Sequence, residues 1–425
     1  MNAKIKDDPF TFPLKISANR RHLVDQNDRP FLVHGDTAWS LISALSEAEV
    51  EHYLSDRATR GFNAIIVNLI EHKFNGPFTR HGEHPFTQPE DLSKLNEKYF
   101  EYADWVLERA AELGFVVFLA PLYLGYKHPA DDDGWYHEAH IGGRNRCYRY
   151  GRFIGKRYSG FKNIIWMMGG DRNPDGVVDE VQSVIVGIKE SDPHSLFTAH
   201  PHPEYQTLDT YGWGGWLDFN VTYTYQIVHK RLLADYNRRP VMPFVLIEST
   251  YEGEHNASAV QIRRQAYWAV LCGAMGQFMG NRPIWLFDPG WEQAIDSQGS
   301  RDMPHVKAFF TSRDWHKFIP DQSHTIITQG LGEFNGMDYL AAACTSDGKT
   351  IMAYLPSART ITVDLAKLNA SKAAAWWFDP RTGASHPAGE FSTLKPVQLT
   401  PPEDGDWGLI VEDVALGLEP PAQQN

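Results

Sequence analysis

The sequence predicts an α/β protein, a (β/α)8 TIM barrel followed by a small all-β sandwich. Three observations lead there. Short apolar runs alternate with helical stretches eight times over roughly 260 residues, the pattern of a closed parallel sheet. Two of those runs end on a carboxylate, Asp171 and Glu248. After about Phe318 the helical stretches stop, and closely spaced short runs continue alone.

The eight runs end near His34, Asn68, Tyr123, Asp171, His200, Tyr225, Glu248 and Phe287. Two intervening helices carry end signals. Ser46 precedes Glu49 at capping-box spacing and Gly61 follows as a stop, with Val50, Tyr53, Leu54 and Ala58 as the apolar stripe. The next helix is expected from about Asn96 to Leu113, with Tyr99, Ala103, Val106, Leu107 and Ala110 on one face and Gly114 as its end. A further helix follows Pro174, with Asp175 or Asp179 as its cap. The later strands are expected at Thr325–Thr328, Tyr339–Cys344, Thr350–Tyr354, Thr360–Val363, Ala373–Phe378 and Trp407–Glu412, and the tail from Pro420 to Asn425 should fray. The expected division is 1–320 for the barrel with a short N-terminal extension and 321–425 for the sandwich.

Bulk properties narrow the function. The chain has 425 residues and a formal charge of -13 with no long basic run, which argues against nucleic acid and anionic membranes as partners. Aromatic residues make up 13%, including 13 Trp, which suits sugar stacking and core filling alike. The three cysteines are far apart and show neither a disulfide framework nor metal-ligand spacing. The first ten residues lack an apolar export core, and no stretch reaches the ~18 apolar residues of a membrane span. As written the chain reads as cytoplasmic; an export signal already removed would leave the same sequence. Oligomeric state is not legible.

An acid at the carboxyl end of a barrel strand points into the mouth of the barrel, where active sites lie. Asp171 and Glu248 are 77 residues apart, so they close strands four and seven with two strands between them. A pair of acids facing one cleft is the equipment for glycoside hydrolysis. Gly169 and Gly170 clear space beside Asp171, and Arg172 could pair with it or with a neighbouring acid. Glu248 ends an almost wholly apolar run, so it faces the cleft or forms a buried ion pair with a barrel arginine.

Other strand-end residues are candidate sugar contacts. After the first strand, His34, Asp36 and Trp39 could contact a ring or its hydroxyls, although Asp36 could instead satisfy loop backbone donors. Asn68, Glu71 and His72 after strand two and Tyr123 after strand three would line the rim, with a solvated loop as the other reading of Glu71 and His72. His200 and His202 could donate to sugar oxygens. A metal-dependent hydrolase using His34, His200, His202 and Asp288 is a third-ranked alternative, and no metal or cofactor is expected. Tyr223, Tyr225 and Gln226 follow strand six, where a tyrosine beside a carboxylate would hold it ionised. Trp285 on the expected eighth strand is a candidate platform under the sugar, and Glu252 and Glu254 are either solvated or bind substrate.

Three segments, His34-Gly35-Asp36-Thr37-Ala38-Trp39, Trp166-Met167-Met168-Gly169-Gly170-Asp171 and Phe244-Val245-Leu246-Ile247-Glu248, resemble the motifs of glycoside hydrolase family 140, the apiosidase-like barrels. Trp376-Trp377-Phe378-Asp379-Pro380-Arg381-Thr382-Gly383 is similar to the β-sandwich that follows this barrel, a domain labelled collagen-binding. The resemblance runs from about Pro13 to about Glu412. It implies a retaining β-glycosidase that releases apiose, a branched furanose, with Asp171 as acid/base and Glu248 as nucleophile. The expected substrates are plant-derived glycosides or oligosaccharides. Another exo-glycosidase activity, such as an arabinofuranosidase, or a non-catalytic carbohydrate-binding barrel, are the alternatives.

Overall fold

The computed structural model describes residues 9–72, 74–126 and 134–421, so the opening eight residues and the tail from Ala422 lie outside it. Eight parallel strands form the first sheet: β1 (Val33–Thr37), β2 (Ala64–Asn68), β3 (Val116–Ala120), β4 (Ile164–Gly169), β5 (Phe197–His200), β6 (Asn220–Tyr223), β7 (Phe244–Glu248) and β8 (Gly276–Met279). Their order is β5–β4–β3–β2–β1–β8–β7–β6, each neighbour joined by a backbone ladder. Every residue of β2 and β3 is buried, as expected for a parallel strand covered on both faces.

The sheet curls until β5 and β6 meet, but among the described residues no ladder joins them. Asp218 N–H donates to Phe197 O at 2.9 Å and Glu204 N–H to Tyr223 O at 3.0 Å. Between these, Thr198 Oγ1 donates to Phe219 O at 2.9 Å. The eighth interface is therefore a seam held by isolated bonds.

The (β/α)8 expectation holds, with local corrections. The helix Glu47–Thr59 begins where the capping spacing put it, and Ser46 N–H donates to Glu49 Oε2 at 2.8 Å. The helix Glu97–Glu112 buries all five residues of its expected stripe. The helix after Pro174 is Val178–Lys189, but its cap is Val177; Asp179 lies in the first turn, where a carboxylate favours the positive end of the helix dipole. The first strand runs to Thr37, beyond His34. The eighth strand is not the run ending at Phe287. Arg282–Leu286 is a short helix, and its early proline suits a first turn better than a central strand. The true strand hid because Gly276 and Gln277 break its apolar run; a Cβ on Gly276 would lie 1.9 Å from Val33 O.

Antiparallel sheets follow. Phe318–Pro320, Ala341–Thr345, Thr350–Leu355, Trp407–Asp413, Lys372–Phe378 and Ser385–Ser392 form one sheet in that spatial order. Ile327–Gln329, Ile361–Val363 and Val397–Leu399 form a second. Phe318–Pro320, Ser385–Ser392 and Val397–Leu399 were not expected. Ser385–Ser392 carries little apolar sequence because it is an edge strand, largely exposed. The period of two divides the strand Thr350–Leu355 between two cores: Met352 and Tyr354 pack into the barrel core, while Ile351, Ala353 and Leu355 pack between the two sheets. Tyr354 stacks on Tyr267 of the barrel at 4.5 Å, a contact worth about 1 kcal/mol beyond the area it buries. No helix among the described residues is long and apolar enough to cross a membrane.

Candidate active site

Asp171 stands just past β4 on backbone that only a glycine-rich turn supports. Gly169, Gly170 and Asp171 all have positive φ, at 85°, 108° and 51°. A Cβ on Gly170 would fall 2.1 Å from the Tyr123 ring. That close approach lets Tyr123 Oη donate to Asp171 Oδ2 at 2.6 Å. Glu248 is the last residue of β7, and Tyr225 Oη donates to its Oε1 at 2.9 Å.

His200, the last residue of β5, is fully buried between the two acids. Its Nδ1 accepts the Asp171 amide at 3.4 Å, and its Nε2 faces Glu248 Oε2 at 3.2 Å. Burial alone would lower the histidine pKa, but the Glu248 contact and the Asp171 charge outweigh it, so the net direction is upward. Burial, then the charge of Glu248, push the Asp171 carboxyl up to about 7. Asp171 can thus still hold a proton near neutral pH, as a proton donor must.

Oxygen and nitrogen atoms of Asp171, His200 and Glu248 lie within 4.8 Å of one another. By spacing alone this trio could hold a cation. Above it opens a cavity of about 480 Å³, within the usual range for a small-ligand site. Trp39, Phe74, Tyr123, Tyr223, Tyr251 and Trp285 form its aromatic wall. With the two acids, this wall draws on the carboxyl ends of β1, β2, β3, β4, β6, β7 and β8, so side chains from around the barrel mouth line an open cavity. Among the described residues its lining contains three carboxyl groups, Asp171, Glu248 and Glu254, and no Lys or Arg.

A family model described as "Apiosidase-like, catalytic domain" matches residues 17–317. The chain belongs to the apiosidase-like family. A second model, described as "Putative collagen-binding domain of a collagenase", matches residues 319–412. In fold the chain is similar to a solved glycoside hydrolase with TM-score 0.84 and 24% identity, over 96% of this chain and 99% of that one. It is similar to a glycoside hydrolase family 5 structure from Bacteroides vulgatus ATCC 8482 with the same score and identity, over 95% and 94%. A β-mannanase from the blue mussel Mytilus edulis is similar at TM-score 0.51 and 15% identity, over 72% of this chain and 98% of that one. No curated protein sequence matches. The apiosidase-like chain is a glycoside hydrolase on a TIM barrel.

Several expected contacts of this apiosidase-like barrel lie elsewhere. On β1 the side chains of His34 and Asp36 share the face turned to the outer helices. His34 is fully buried, stacks on Phe62 and has its pKa pushed down to about 3 by burial. Asp36 accepts from Tyr53 Oη at 2.9 Å and lies 3.5 Å from Arg57 Nε, a structural ion pair. Glu71 is not a solvated loop residue: it is buried and accepts from Ser43 Oγ at 2.9 Å and Asn75 N–H at 2.6 Å. His72 faces Glu138 Oε1 at 3.0 Å, and Asn68 is buried with its N–H on Trp39 O. Arg172 pairs with neither acid; its guanidinium lies 3.4 Å from the centre of the Tyr136 ring. His202 and Gln226 do not line the cavity; His202 stacks beside Tyr126. Glu252 accepts from Ser297 Oγ and the Gly299 amide, anchoring a helix start.

The structure does bring Trp39, Tyr123, Tyr223, Tyr225 and Trp285 around the two acids. It adds Phe74, Tyr126, Tyr251 and His255, which sequence reasoning missed, and places Glu254 in the wall. Trp285 reaches the cavity from a helix. The missed residues sit on loops, where no periodicity says which way a side chain points. His255 and Asn256 carried a faint signal, two polar residues after a glycine, and both adopt positive φ.

Proposed function

We propose that this glycoside hydrolase is a retaining, exo-acting β-glycosidase that removes a neutral furanose, apiose, from the end of plant-derived glycosides or oligosaccharides. Spacing carries the reading. Atoms of Asp171 and Glu248 lie within 4.8 Å, near the ~5–5.5 Å of double displacement and short of the ~6.5–9.5 Å that inversion needs for a water. Glu248 attacks the anomeric carbon and forms a glycosyl-enzyme, while Asp171 gives its proton to the departing oxygen. Asp171 then takes a proton from water, which releases the sugar. Two inversions leave its configuration unchanged. The aromatic-walled cavity suits a chain end, and its aromatic rings suit the faces of an uncharged sugar. The choice of apiose rests on the family match. Three unpaired cysteines suit a reducing compartment, where the enzyme would meet small imported glycosides. In this reading the chain divides near residue 320, between the two family matches.

The test is a panel of aryl glycosides, followed by proton NMR from the first turnover, with and without EDTA. The expected result is β-apiose as the first-formed anomer, at a rate that chelation leaves unchanged. An α-anomer would overturn retention. Release of arabinose but not apiose would overturn the substrate. Zinc-restorable loss with EDTA would move the chemistry to a metal.

A further inference from the structure

His200 is too buried to touch a sugar, yet it is the side chain that connects the two acids. We propose that His200 is a positioning residue through which the backbone at Asp171 holds Glu248 ionised and aimed for attack. The proposal rests on the reading of Glu248 as nucleophile. While the Asp171 amide donates to Nδ1, the neutral ring carries its proton on Nε2; a doubly protonated ring, with Nδ1 turned to Asp171 Oδ1 at 3.5 Å, carries one there too, so Nε2 is the donor in both states. Nε2 and Glu248 Oε2 are both buried, face each other at 3.2 Å, and have no other partner among the described residues. Buried polar atoms in that position pair with each other. Tyr225 serves the other oxygen of Glu248, so each carboxylate oxygen has its own donor. The Trp39 and Tyr223 rings pack against the imidazole at 5.3 and 4.6 Å and hold its plane. The separation of the two acids is thereby set by one rigid ring.

The titratable groups around Glu248 are Asp171 from β4, His200 from β5, Tyr223 and Tyr225 at β6, and Tyr251, Glu254 and His255 after β7. Among the described residues His200 is the imidazole at ion-pair distance from Glu248, so its removal takes away the donor to Oε2.

The experiment compares His200→Gln with His200→Asn on the full chain, reading kcat/KM against pH. A glutamine amide reaches the place of Nε2, whereas an asparagine amide reaches only that of Nδ1. His200→Gln is expected within a few-fold of wild type. His200→Asn is expected to lose about 10- to 100-fold, the effect of removing one hydrogen bond to a charge, with its acidic limb displaced upward by about one pH unit. Equal losses in both variants, or an unmoved limb, would overturn the proposal. If neither variant folds, nitrogen-15 NMR of the imidazoles in the wild-type enzyme decides. The ring whose signal moves in Glu248→Gln should carry a proton on Nε2, and a ring protonated on Nδ1 alone would overturn the proposal. If instead the wild type inverts configuration, the nucleophile reading fails first, and the two failures are distinguishable.

Discussion

The carboxylates at the domain junction and those at the barrel mouth are held by opposite rules. Where the sandwich meets the barrel, Arg263 Nε and Nη2 donate to both oxygens of Asp406 at 2.8 and 2.7 Å, and Nη1 donates to Asp302 at 2.6 Å. Tyr354 Oη adds a bond to Asp406. Arg313 Nη2 donates to Glu412 at 2.7 Å nearby. Each acid there has a guanidinium. At the barrel mouth, Asp171 and Glu248 share one histidine and have a tyrosine each, with no Lys or Arg at ion-pair distance among the described residues. A guanidinium at the mouth would favour the anion of both acids. Tyrosine and histidine leave one of them able to hold a proton, which acid catalysis requires. Paired burial holds the domains together, and under-paired burial tunes chemistry.

The largest expected effect removes the attacking acid. Glu248→Gln should lower kcat by at least on the order of 10⁴-fold for every leaving group. Asp171→Asn should lose about 10²–10⁴-fold with a poor leaving group and far less with an acidic phenol, which leaves without a proton. Azide should rescue Asp171→Ala with such a phenol and yield a β-glycosyl azide; equal losses across leaving groups would erase the division of roles. At the junction the effect should fall on stability. Arg263→Ala strands two buried anions and should cost about 3–5 kcal/mol, read as a fall in Tm with kcat little changed in the folded fraction. A variant with wild-type Tm would remove the contrast.

A pH-dependent effect sharpens it. The pKa of Asp171 is raised in the folded state, to about 7 from an ordinary 3.8, so the native protein binds that proton more tightly than the unfolded chain. Stability contributed by this group is therefore lost as pH rises from about 4 through 7. Asp171→Asn should be more stable than wild type above pH 7, by on the order of 4 kcal/mol, and no different near pH 4. Urea unfolding at both pH values checks the sign.

Legibility from sequence followed the same contrast. Asp171 and Glu248 were readable because an acid interrupting a fully apolar run has few structural excuses. Tyr223 and Tyr225 were readable by their place just after β6. Asp36 was misread because β1 continues through it, and a strand residue's face depends on register, which the short segment before Trp39 does not reveal. Glu71 was misplaced because its partners, Ser43 and Asn75, come from a loop fold that has no period. The eighth strand was lost to Gly276 and Gln277, residues chosen for close approach to β1 and not for hydrophobicity.

The seam between β5 and β6 also sets a clock. A sheet curled without its last ladder behaves as a ribbon whose ends part before its middle does. His200 and Tyr223 are the final residues at those two ends, their rings 4.6 Å apart. Each brief parting therefore tilts the imidazole that spaces the acids, so the lifetime of the shut ribbon bounds how long the catalytic alignment persists. Amides of Thr198–His200 should accordingly trade with deuterium sooner than those of Ile65–Val67 in the fully laddered middle, and a ligand held in the cavity should slow the first set more than the second.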